Sequence, residues 1–318
     1  MKYLVTGGTG FIGASAVGRL IDDGHEVRVL DNNLRGSVDR LSRWDGNFEY
    51  VQGDIRDAEL VDTAAKGVDA VMHLAYVNGT HNFYERPELV LDVAVRGMLN
   101  VVDACRNQDV GNLILASSSE VYQKPPIIPT DETVPLIIPD VSNPRFSYGG
   151  GKILCELMAF TYGRKGFDRV TIFRPHNVYG PDMGNGHVLP QFVARAKQLI
   201  ASQPEGCIDF EIQGSGEETR SFVHIDNFID GLMLVCDKGQ HLEIYNIGNE
   251  EERSITSIVE SLFSYLERDY KVVTGQKLQG SVARRCPDLT KLRDLGYVPS
   301  ISFEDGFPSL IDWYLENA

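Results

Sequence analysis

The chain has 318 residues, 42% of them hydrophobic, which is enough to bury a large core as one domain or as two. Its formal net charge of −15 disfavours nucleic acid and anionic membranes as partners, and it has no apolar run of about 18 residues that would predict a transmembrane helix. Five widely spaced cysteines without a C-x-x-C pair, and seven histidines without metal-ligand spacing, lead us to expect no metal and a reducing cytoplasm.

Short apolar runs alternate with amphipathic helical patterns in the first half of the chain. The pattern predicts strands at 2–6, 25–30, 48–52, 69–75 and 112–118, with helices at 10–23, 58–65 and 87–106. A helix from about Ser147 and a strand at 170–175 complete the series. Strands of this spacing separated by helices are typical of βαβ units on a parallel sheet. We therefore predict an α/β fold built on a Rossmann-type, doubly wound parallel sheet.

The second half is less regular. Residues 123–144 contain six prolines and predict a long structured loop, and loops of that length are often functional. Beyond it we predict helices at 188–201, 226–237, 254–268 and 303–316, and strands near 209–213, 221–225 and 243–247. We predict that residues 1–177 form a nucleotide-binding domain. Residues 178–318 would form mainly a smaller α/β substrate-binding lobe, discontinuous because some of its elements return to the first domain.

A glycine-rich segment, VTGGTGFIG, follows the first strand and opens a helix. Its glycines Gly7, Gly10 and Gly13 allow a tight turn and let backbone amide groups meet a pyrophosphate at the helix N-terminus. Asp31 ends the second strand 18 residues after Gly13. A carboxylate there can accept hydrogen bonds from a ribose 2′-hydroxyl and would repel a 2′-phosphate, which favours NAD over NADP. Arg35 is a nearby residue that could instead accept a 2′-phosphate.

Tyr148 and Lys152 are four residues apart and therefore lie on one face of the predicted helix. Between them stand Gly149, Gly150 and Gly151, each of which costs up to about 1 kcal/mol relative to alanine inside a helix. Because glycine allows a close approach, we predict a tightly packed neighbour at this turn. The sequence leaves open whether that neighbour is the cofactor, another helix or a second subunit.

Taken in order, several motifs resemble the extended short-chain dehydrogenase/reductases that modify nucleotide sugars. They are the glycine-rich turn, Asp31, HLAY (73–76), the serine run before EVY, the YxxxK pair, RPHNVYGP (174–181) and CPDLTKLRDLGYVP (286–299). The resemblance spans nearly the whole chain. It implies an enzyme with bound NAD, a nucleoside-diphosphate-sugar substrate, and a homodimer formed through the 92–106 region and the 147–165 helix.

The resemblance also assigns residues to the cofactor. Asp54 and Ile55, at the end of the third strand, would flank the adenine, although Asp54 could equally be a strand-end cap. The implied cofactor contacts are Gly7, Gly10, Phe11, Ile12, Gly13, Asp31, Asn32, Asp54, Ile55, Leu74, Ala75, Tyr148 and Lys152.

Proton transfer is implied for the Tyr–Lys pair. The ammonium of Lys152 would lower the pKa of Tyr148 toward working pH, so that the phenolate takes a proton from a sugar hydroxyl as hydride leaves. Alignment on Val121–Tyr122 puts Ser118 at the family's catalytic Ser/Thr position, with Ser117 and Ser119 as adjacent candidates.

Substrate contacts follow from the same resemblance. They are Ser119, Asn177, Val188, Arg220 and Arg285, with Arg220 at the family's diphosphate-binding position and Arg284 a weaker candidate than Arg285. The sequence departs from the family at His176, where phenylalanine is usual and where we predict a core or loop histidine instead of a catalytic one. It departs again at Gln123, where a glycine usually follows VY, and this leaves the shape of the substrate entrance open.

The reaction itself is the least determined prediction. We favour a nucleotide-sugar 4-epimerase, because it needs only Ser118, Tyr148, Lys152 and retained NADH. Glu120 could instead remove the C5 proton of a 4-keto sugar, and Arg285 could bind a substrate carboxylate, which keeps a 4,6-dehydratase and a UDP-glucuronate-type decarboxylase open. Against dehydration, Ser119 is a poor general acid. Glu120 could also be a structural partner for a backbone amide. A non-catalytic NAD-binding regulatory subunit and an NADPH-dependent reductase are the remaining alternatives.

Overall fold

The computed structural model describes residues 1–276 and 282–317. Along these residues the strands are β1 (Lys2–Thr6), β2 (Glu26–Asp31), β3 (Phe48–Gln52), β4 (Ala70–His73), β5 (Asn112–Ala116), β6 (Arg169–Pro175), β7 (Val178–Tyr179), β8 (Ile208–Ile212), β9 (Thr219–Ser221), β10 (Val223–His224), β11 (Glu243–Ile247), β12 (Glu252–Ser254), β13 (Tyr270–Thr274) and β14 (Arg284–Arg285). The helices are α1 (Phe11–Asp22), α2 (Ala58–Ala65), α3 (Thr80–Glu85), α4 (Pro87–Asn107), α5 (Ser147–Gly163), α6 (Val188–Ser202), α7 (Ile225–Lys238), α8 (Ile255–Tyr265), α9 (Thr290–Asp294) and α10 (Phe303–Asn317). Short 3-10 helices cover Val38–Trp44, Ser119–Tyr122 and Pro144–Phe146.

A parallel sheet of seven strands forms the centre of the described structure, in the order β11-β6-β5-β4-β1-β2-β3. Each neighbouring pair runs parallel, and β1 pairs with both β2 and β4. The chain therefore reverses its direction of winding at β1, and open sheets of this kind bind ligands in the crevice outside the carboxyl ends of the strands at such a point. The predicted doubly wound α/β fold is confirmed.

Helices cover both faces of this sheet. Successive strand residues point to opposite faces, so Leu4 joins a core with α2, α4 and α5, whereas Val5 joins a core with α1, α7 and α9. Burial on both faces explains why the strands read as continuous apolar runs and not as an alternating pattern. The central strands are consequently rigid, and they end at fixed positions around the crevice.

A smaller set of elements lies beyond β6. Strand β8 pairs in parallel with β13, and α6, α8 and α10 contribute to a separate core around Phe210 and Phe263. Strand β9 pairs with β12 and with β14, which places Arg220 directly opposite Arg285. These short strands carry residues from the C-terminal part of the chain back toward the crevice.

The longer predicted elements match the structure to within one or two residues at most ends. The region predicted as one strand near 221–225 contains two short strands, β9 and β10. Its predicted last residue, Ile225, is the first residue of α7. Sequence reasoning missed α3, α9, β7, β12, β13 and β14, most of which have too few residues to show a period. Strand β11 joins the central sheet from far along the chain. The division of the chain at residue 177 stays a prediction.

Within the described residues, no helix is both long and apolar enough to span a bilayer.

Candidate active site

A cleft of about 580 Å³ lies at the carboxyl ends of the central strands. All thirteen predicted cofactor contacts line it, from the glycine turn after β1 to Tyr148 and Lys152 on α5. The predicted residues Ser118, Ser119, Glu120, Asn177 and Arg285 line it as well. Positions spread over most of the chain therefore meet in one cavity.

Two glycines of the glycine turn, Gly7 and Gly13, leave no space for a side chain. Gly7 has a φ of +75°, and a Cβ there would lie 2.6 Å from the amide nitrogen of Ala75. A Cβ on Gly13 would lie 2.1 Å from the carbonyl oxygen of Gly7. Helix α1 begins directly after Gly10, and no side chain caps its first amide groups. Uncapped amides at a helix N-terminus fit a pyrophosphate.

Asp31 is held beside this turn by two backbone amides. Its carboxylate accepts hydrogen bonds from the amide of Thr9 at 3.0 Å and from the amide of Asn33 at 2.8 Å. A carboxylate fixed there suits ribose hydroxyls and repels a 2′-phosphate.

Asp54 lies at the edge of the cleft, where its carboxylate is also bound by neighbouring side chains. It lines the cleft, yet its carboxylate also accepts hydrogen bonds from Arg56 and from Asn32 at 3.1 Å. The hydrogen bonds from Arg56 are the main reason why its pKa is lowered. Ile55 lines the cleft beside it and packs so closely on α4 that a Cβ on Gly97 would lie 2.3 Å from its Cδ1 atom.

Tyr148 is buried at the inner end of the cleft, where Ser118 lies beside its phenol. Burial raises the pKa of Tyr148 to about 12, and the hydrogen bond with Ser118 opposes that rise. The ring of Phe83 stacks on Tyr148 at 4.9 Å between centroids. The phenol is therefore fixed in orientation and strongly desolvated.

The ammonium of Lys152 is bound by a backbone carbonyl group and an aromatic ring. Its Nζ atom donates a hydrogen bond to the carbonyl oxygen of Ala116 at 2.7 Å and lies 3.9 Å from the centroid of the Tyr76 ring. Burial lowers the pKa of Lys152 to about 8. The predicted lowering of the Tyr148 pKa is not found, because desolvation outweighs any neighbouring positive charge.

Glu120 forms the centre of an arginine cluster at the other end of the serine run. Its Oε1 atom accepts a hydrogen bond from Arg285 at 2.5 Å, and its Oε2 atom lies 4.0 Å from Arg145. Burial acts to raise the pKa of Glu120, but the charges of Arg285, Arg145 and Arg220 outweigh it and lower the pKa. Glu120 is thus an ionised carboxylate surrounded by three guanidinium groups.

Two predicted substrate contacts do not reach the wall of the cleft. Val188 is partly buried against the core formed by α6, α8 and α10, and its neighbour His187 lines the cleft instead. Arg220 donates hydrogen bonds to the carbonyl oxygens of Thr219 and Val282, each at 2.7 Å. These hydrogen bonds engage the Arg220 guanidinium with backbone carbonyl groups outside the cleft lining. It acts on Glu120 through its charge.

The consecutive glycines of α5 contact side chains of the same chain. A Cβ on Gly149 would lie 2.8 Å from Nε2 of Gln123, and a Cβ on Gly151 would lie 2.2 Å from the hydroxyl of Tyr76. Gly150 faces the tip of an exposed side chain, Ile138, at 3.1 Å. The close neighbours at Gly149 and Gly151 are therefore bulky residues that line or flank the cleft.

Gln123 explains the departure after VY. It adopts a φ of +52°, a conformation that favours glycine, and its side-chain amide donates to the carbonyl oxygen of Glu120 at 2.6 Å. The 3-10 turn that carries Ser119 and Glu120 is thereby closed by a side chain. Gly149 leaves room for that side chain.

His176 is a core residue, as predicted. It is fully buried, its Nε2 atom lies 3.0 Å from Oδ1 of Asn246, and burial lowers its pKa to about 3. Cys155 is also buried, with its thiol directed at the carbonyl oxygen of Ala94 at 3.5 Å. Neither residue lines the cleft.

Sequence reasoning missed several residues of the cleft wall, namely Tyr76, Arg145, His187 and Phe83. Arg145 stands three residues before Tyr148, so its helix-start position was a usable signal. Tyr76 stands at the end of the quoted HLAY motif, but nothing local to it indicates a contact with α5.

Comparisons with known proteins agree with this geometry. The model of the NAD dependent epimerase/dehydratase family matches residues 3–248. A UDP-N-acetyl-alpha-D-glucosaminuronate decarboxylase of Bacillus cytotoxicus is 29% identical over 99% of this chain and 98% of its own length. A putative UDP-glucose 4-epimerase of Methanocaldococcus jannaschii is 30% identical over 99% of this chain and 98% of its own length. One similar solved structure is that of a double mutant of DesIV, a dTDP-glucose 4,6-dehydratase from Streptomyces venezuelae with NAD bound. It is 30% identical with a TM-score of 0.86, and the match covers 100% of this chain and 98% of that chain.

Proposed function

Because the chain belongs to the NAD dependent epimerase/dehydratase family, we propose that it oxidises C4 of a nucleoside-diphosphate sugar that carries a carboxylate on C5 and releases that carboxylate as carbon dioxide. The chain is an enzyme and its cofactor is NAD, as in the family. The observation that carries the C5 proposal is the pairing of Glu120 with Arg285 inside the cleft.

The cofactor would be held by the glycine turn, by Asp31 and by the residues around Asp54. When bound there, NAD would supply a reversible hydride acceptor for C4. The chain's own residues must then orient the C4 hydroxyl and move its proton. Tyr148 would accept that proton in its ionised form, and Ser118, beside the phenol, would share a hydrogen bond with the reacting oxygen. The charge of Arg35 acts with Ser118 to favour the ionised phenol.

The charges around Glu120 support a substrate carboxylate. Arg285, Arg145 and Arg220 all act on Glu120, so this end of the cleft carries more positive than negative charge. Arginine forks match carboxylates in geometry as well as in charge. An anionic group on the sugar therefore fits better here than a neutral hydroxymethyl group.

The state of Glu120 also argues against dehydration. A 4,6-dehydratase needs a base that takes the C5 proton and an acid that protonates the leaving hydroxyl. Glu120 has a lowered pKa and is bound by Arg285, which makes it a weak base, and Ser119 is a weak acid.

Decarboxylation needs neither group. Once C4 is a ketone, the bond between C5 and the carboxylate carbon breaks and carbon dioxide leaves. The electron pair moves toward the C4 oxygen, where Tyr148 and Ser118 stabilise the enolate. C5 then takes a proton, and the ketone is reduced again.

A 4-epimerase remains the second candidate, and it is the reaction that the sequence favoured. The specific observation in its favour is that Arg285 is already neutralised by Glu120, so no substrate anion is required to balance it. Epimerisation would use only Ser118, Tyr148 and Lys152, with room for the ketose to turn.

The test is product mass with matched substrates. The enzyme is incubated with nucleoside-diphosphate glucose and nucleoside-diphosphate glucuronate, and products are followed by mass spectrometry. Loss of carbon dioxide from the uronate supports the proposal. Unchanged mass with a new stereocentre at C4 shows an epimerase, and loss of water shows a dehydratase.

Variants of neighbouring arginines sharpen this test. We expect Arg285→Gln to lower turnover of the uronate roughly 10- to 100-fold, because a hydrogen bond to a charged group is lost. Arg284→Gln is the matched control, since Arg284 is exposed and pairs with Glu252 away from Glu120. Equal losses in the two variants would contradict the assignment of Arg285. With Glu120→Gln, NADH that accumulates without product would show that Glu120 acts as a base at C5, whereas continued loss of carbon dioxide from the uronate would agree with a decarboxylation that needs no such base.

We also propose the remaining organisation that the family implies. Residues 1–177 would hold the cofactor and residues 178–318 mainly the nucleotide sugar. Two copies would pair through α4 and α5, which expose the apolar side chains of Leu91 and Leu157. Sedimentation as a monomer at micromolar concentration would contradict the dimer. The cytoplasm is the compartment we expect, since all five cysteines are unpaired.

A further inference from the structure

We propose that Tyr76 positions Lys152 by holding its ammonium on the face of the tyrosine ring, in space that Gly151 leaves open. The inference rests on the role that the family resemblance implies for Lys152 in proton transfer at C4, and it does not depend on what happens at C5. Tyr76 acts through Lys152 and is therefore a positioning residue.

The contacts of Tyr76 converge on the reacting pair. Its ring centroid lies 3.9 Å from Nζ of Lys152, a distance at which an ammonium is attracted to an aromatic face. The same ring meets Tyr148 edge to face, at 5.1 Å between centroids and an interplanar angle of 82°. Its hydroxyl donates a 3.4 Å hydrogen bond to the backbone carbonyl oxygen of Tyr148. One side chain thus touches both members of the Tyr–Lys pair.

The ring of Tyr76 can lie against α5 only because residue 151 is glycine. A Cβ at position 151 would lie 2.2 Å from the hydroxyl of Tyr76 and 3.0 Å from Cβ of Ala94. Any side chain there would push the ring away from the helix and from Lys152. The third glycine of the SYGGGK segment is therefore matched to the tyrosine of HLAY, 75 residues earlier.

Within residues 1–276 and 282–317, two groups contact the ammonium closely. They are the ring of Tyr76 and the carbonyl oxygen of Ala116, the latter at 2.7 Å. Burial lowers the pKa of Lys152 to about 8, so the ammonium needs stabilisation to persist at working pH.

The charged and titratable groups around Lys152 do not replace the ring. Glu156 favours the ammonium but is itself bound by Arg174 and Ser117. Burial raises the pKa of the Cys155 thiol to about 11 and lowers the pKa of His73 to about 3, so both are neutral near pH 7. Tyr148 lies on the same helix face, and its phenol is neutral at that pH as well. Burial also raises the pKa of Tyr76, which keeps its phenol neutral and unable to compete as a proton acceptor.

The decisive comparison is between Tyr76→Phe and Tyr76→Leu. Phenylalanine keeps the aromatic face, whereas leucine keeps bulk and loses the face. With ¹³C-labelled lysine in the purified protein, the pKa of Lys152 is read by NMR, and Lys152→Met identifies its signal. We expect Tyr76→Leu to lower the pKa of Lys152 by about one unit and Tyr76→Phe to change it by less than about 0.3 unit. If the leucine variant does not fold, Tyr76→Met gives the same comparison.

A second readout uses turnover. Because the proposal requires Lys152 in its protonated form, the rate should fall as the pH rises through the pKa of Lys152. This fall in rate should move to lower pH in Tyr76→Leu only. Equal Lys152 pKa values in the phenylalanine and leucine variants would overturn the proposal. Product mass is unaffected by this comparison, so a wrong assignment of the C5 step and a wrong assignment of Tyr76 give different results.

Discussion

His176 is a neutral imidazole sealed in the core behind the cleft. Its Nε2 atom meets Asn246, while its Nδ1 atom has no hydrogen-bond partner among the described residues. Burial lowers its pKa to about 3, and burial has the same effect on His73. The folded state therefore binds these protons less readily than the unfolded chain, whose histidines titrate near pH ~6.5. Their contribution to stability is complete above that pH and is lost as the pH falls from about 6.5 to about 3.

We predict that His176→Phe makes stability less sensitive to acid. The substitution removes one buried base, so the loss of unfolding free energy between pH 8 and pH 4.5 should shrink by roughly 1 kcal/mol or more. Urea unfolding at both pH values measures this. His81→Gln is the control, because His81 is exposed on α3 and should leave the pH dependence as it is in the parent protein. The same slope in His176→Phe and in the parent would contradict the assignment.

At the scale of one element, the first turns of α5 carry three consecutive glycines that face different surroundings. Gly149 faces Gln123, Gly151 faces Tyr76, and Gly150 faces the flexible tip of Ile138. A Cβ added at position 149 or 151 would therefore meet a side chain that is held by a hydrogen bond. At position 150 it would meet the movable end of a side chain. The intrinsic preference of the helix for alanine is the same at all three.

We predict opposite signs within this series. Gly150→Ala should raise the unfolding free energy by up to about 1 kcal/mol, because the gain in helix propensity meets little resistance. Gly151→Ala should lower it by about 1–3 kcal/mol, since the ring of Tyr76 must move. Urea midpoints of the purified variants measure both changes. Destabilisation by Gly150→Ala equal to that by Gly151→Ala would contradict the packing described here.

A double-mutant cycle tests the match between Gln123 and Gly149. Gly149→Ala should be destabilising in the parent chain, where the Gln123 amide must give up its bond to Glu120. In the Gln123→Gly background we expect the cost to fall by about 1 kcal/mol, because that amide is gone. Additive effects would show that the two positions are independent.

For the whole molecule, the cleft joins the central sheet to the C-terminal elements, so a bound cofactor stabilises the entire fold. We predict that NAD at about 100 times its Kd raises the unfolding temperature by about 5 °C, from about 2.7 kcal/mol of binding free energy. NADP should raise it less, because Asp31 repels a 2′-phosphate. Thermal scans with both dinucleotides measure this.

Asp31→Asn provides the matched control for the cofactor prediction. Asparagine can keep hydrogen bonds to ribose hydroxyls and removes the negative charge, so the difference between NAD and NADP should narrow. Equal stabilisation of the parent protein by the two dinucleotides would count against the role of Asp31.

The sequence alone determined the central sheet, the choice of NAD and the Tyr148–Lys152 pair. These features depend on residues that are close along the chain: apolar runs of strand length, a glycine turn between a strand and a helix, and a four-residue spacing on one helix face. Such local patterns follow from backbone geometry, which is the same in any fold that contains them. For that reason the long elements were predicted to within a few residues, and the residues predicted to contact the cofactor all line one cleft.

Only the tertiary structure decided how distant residues pair. Glu120 meets Arg285 across 165 residues, and Gly151 makes room for Tyr76 across 75. Arg285 reaches the cleft because a two-residue strand, too short to leave a periodic signal, pairs with β9. The same packing binds Arg220 to backbone carbonyl groups outside the cleft lining. It also raises the pKa of Tyr148, because the burial of the phenol depends on all the residues around it. Contacts of this kind are chosen by the close packing of the whole core, and no stretch of sequence taken by itself contains them.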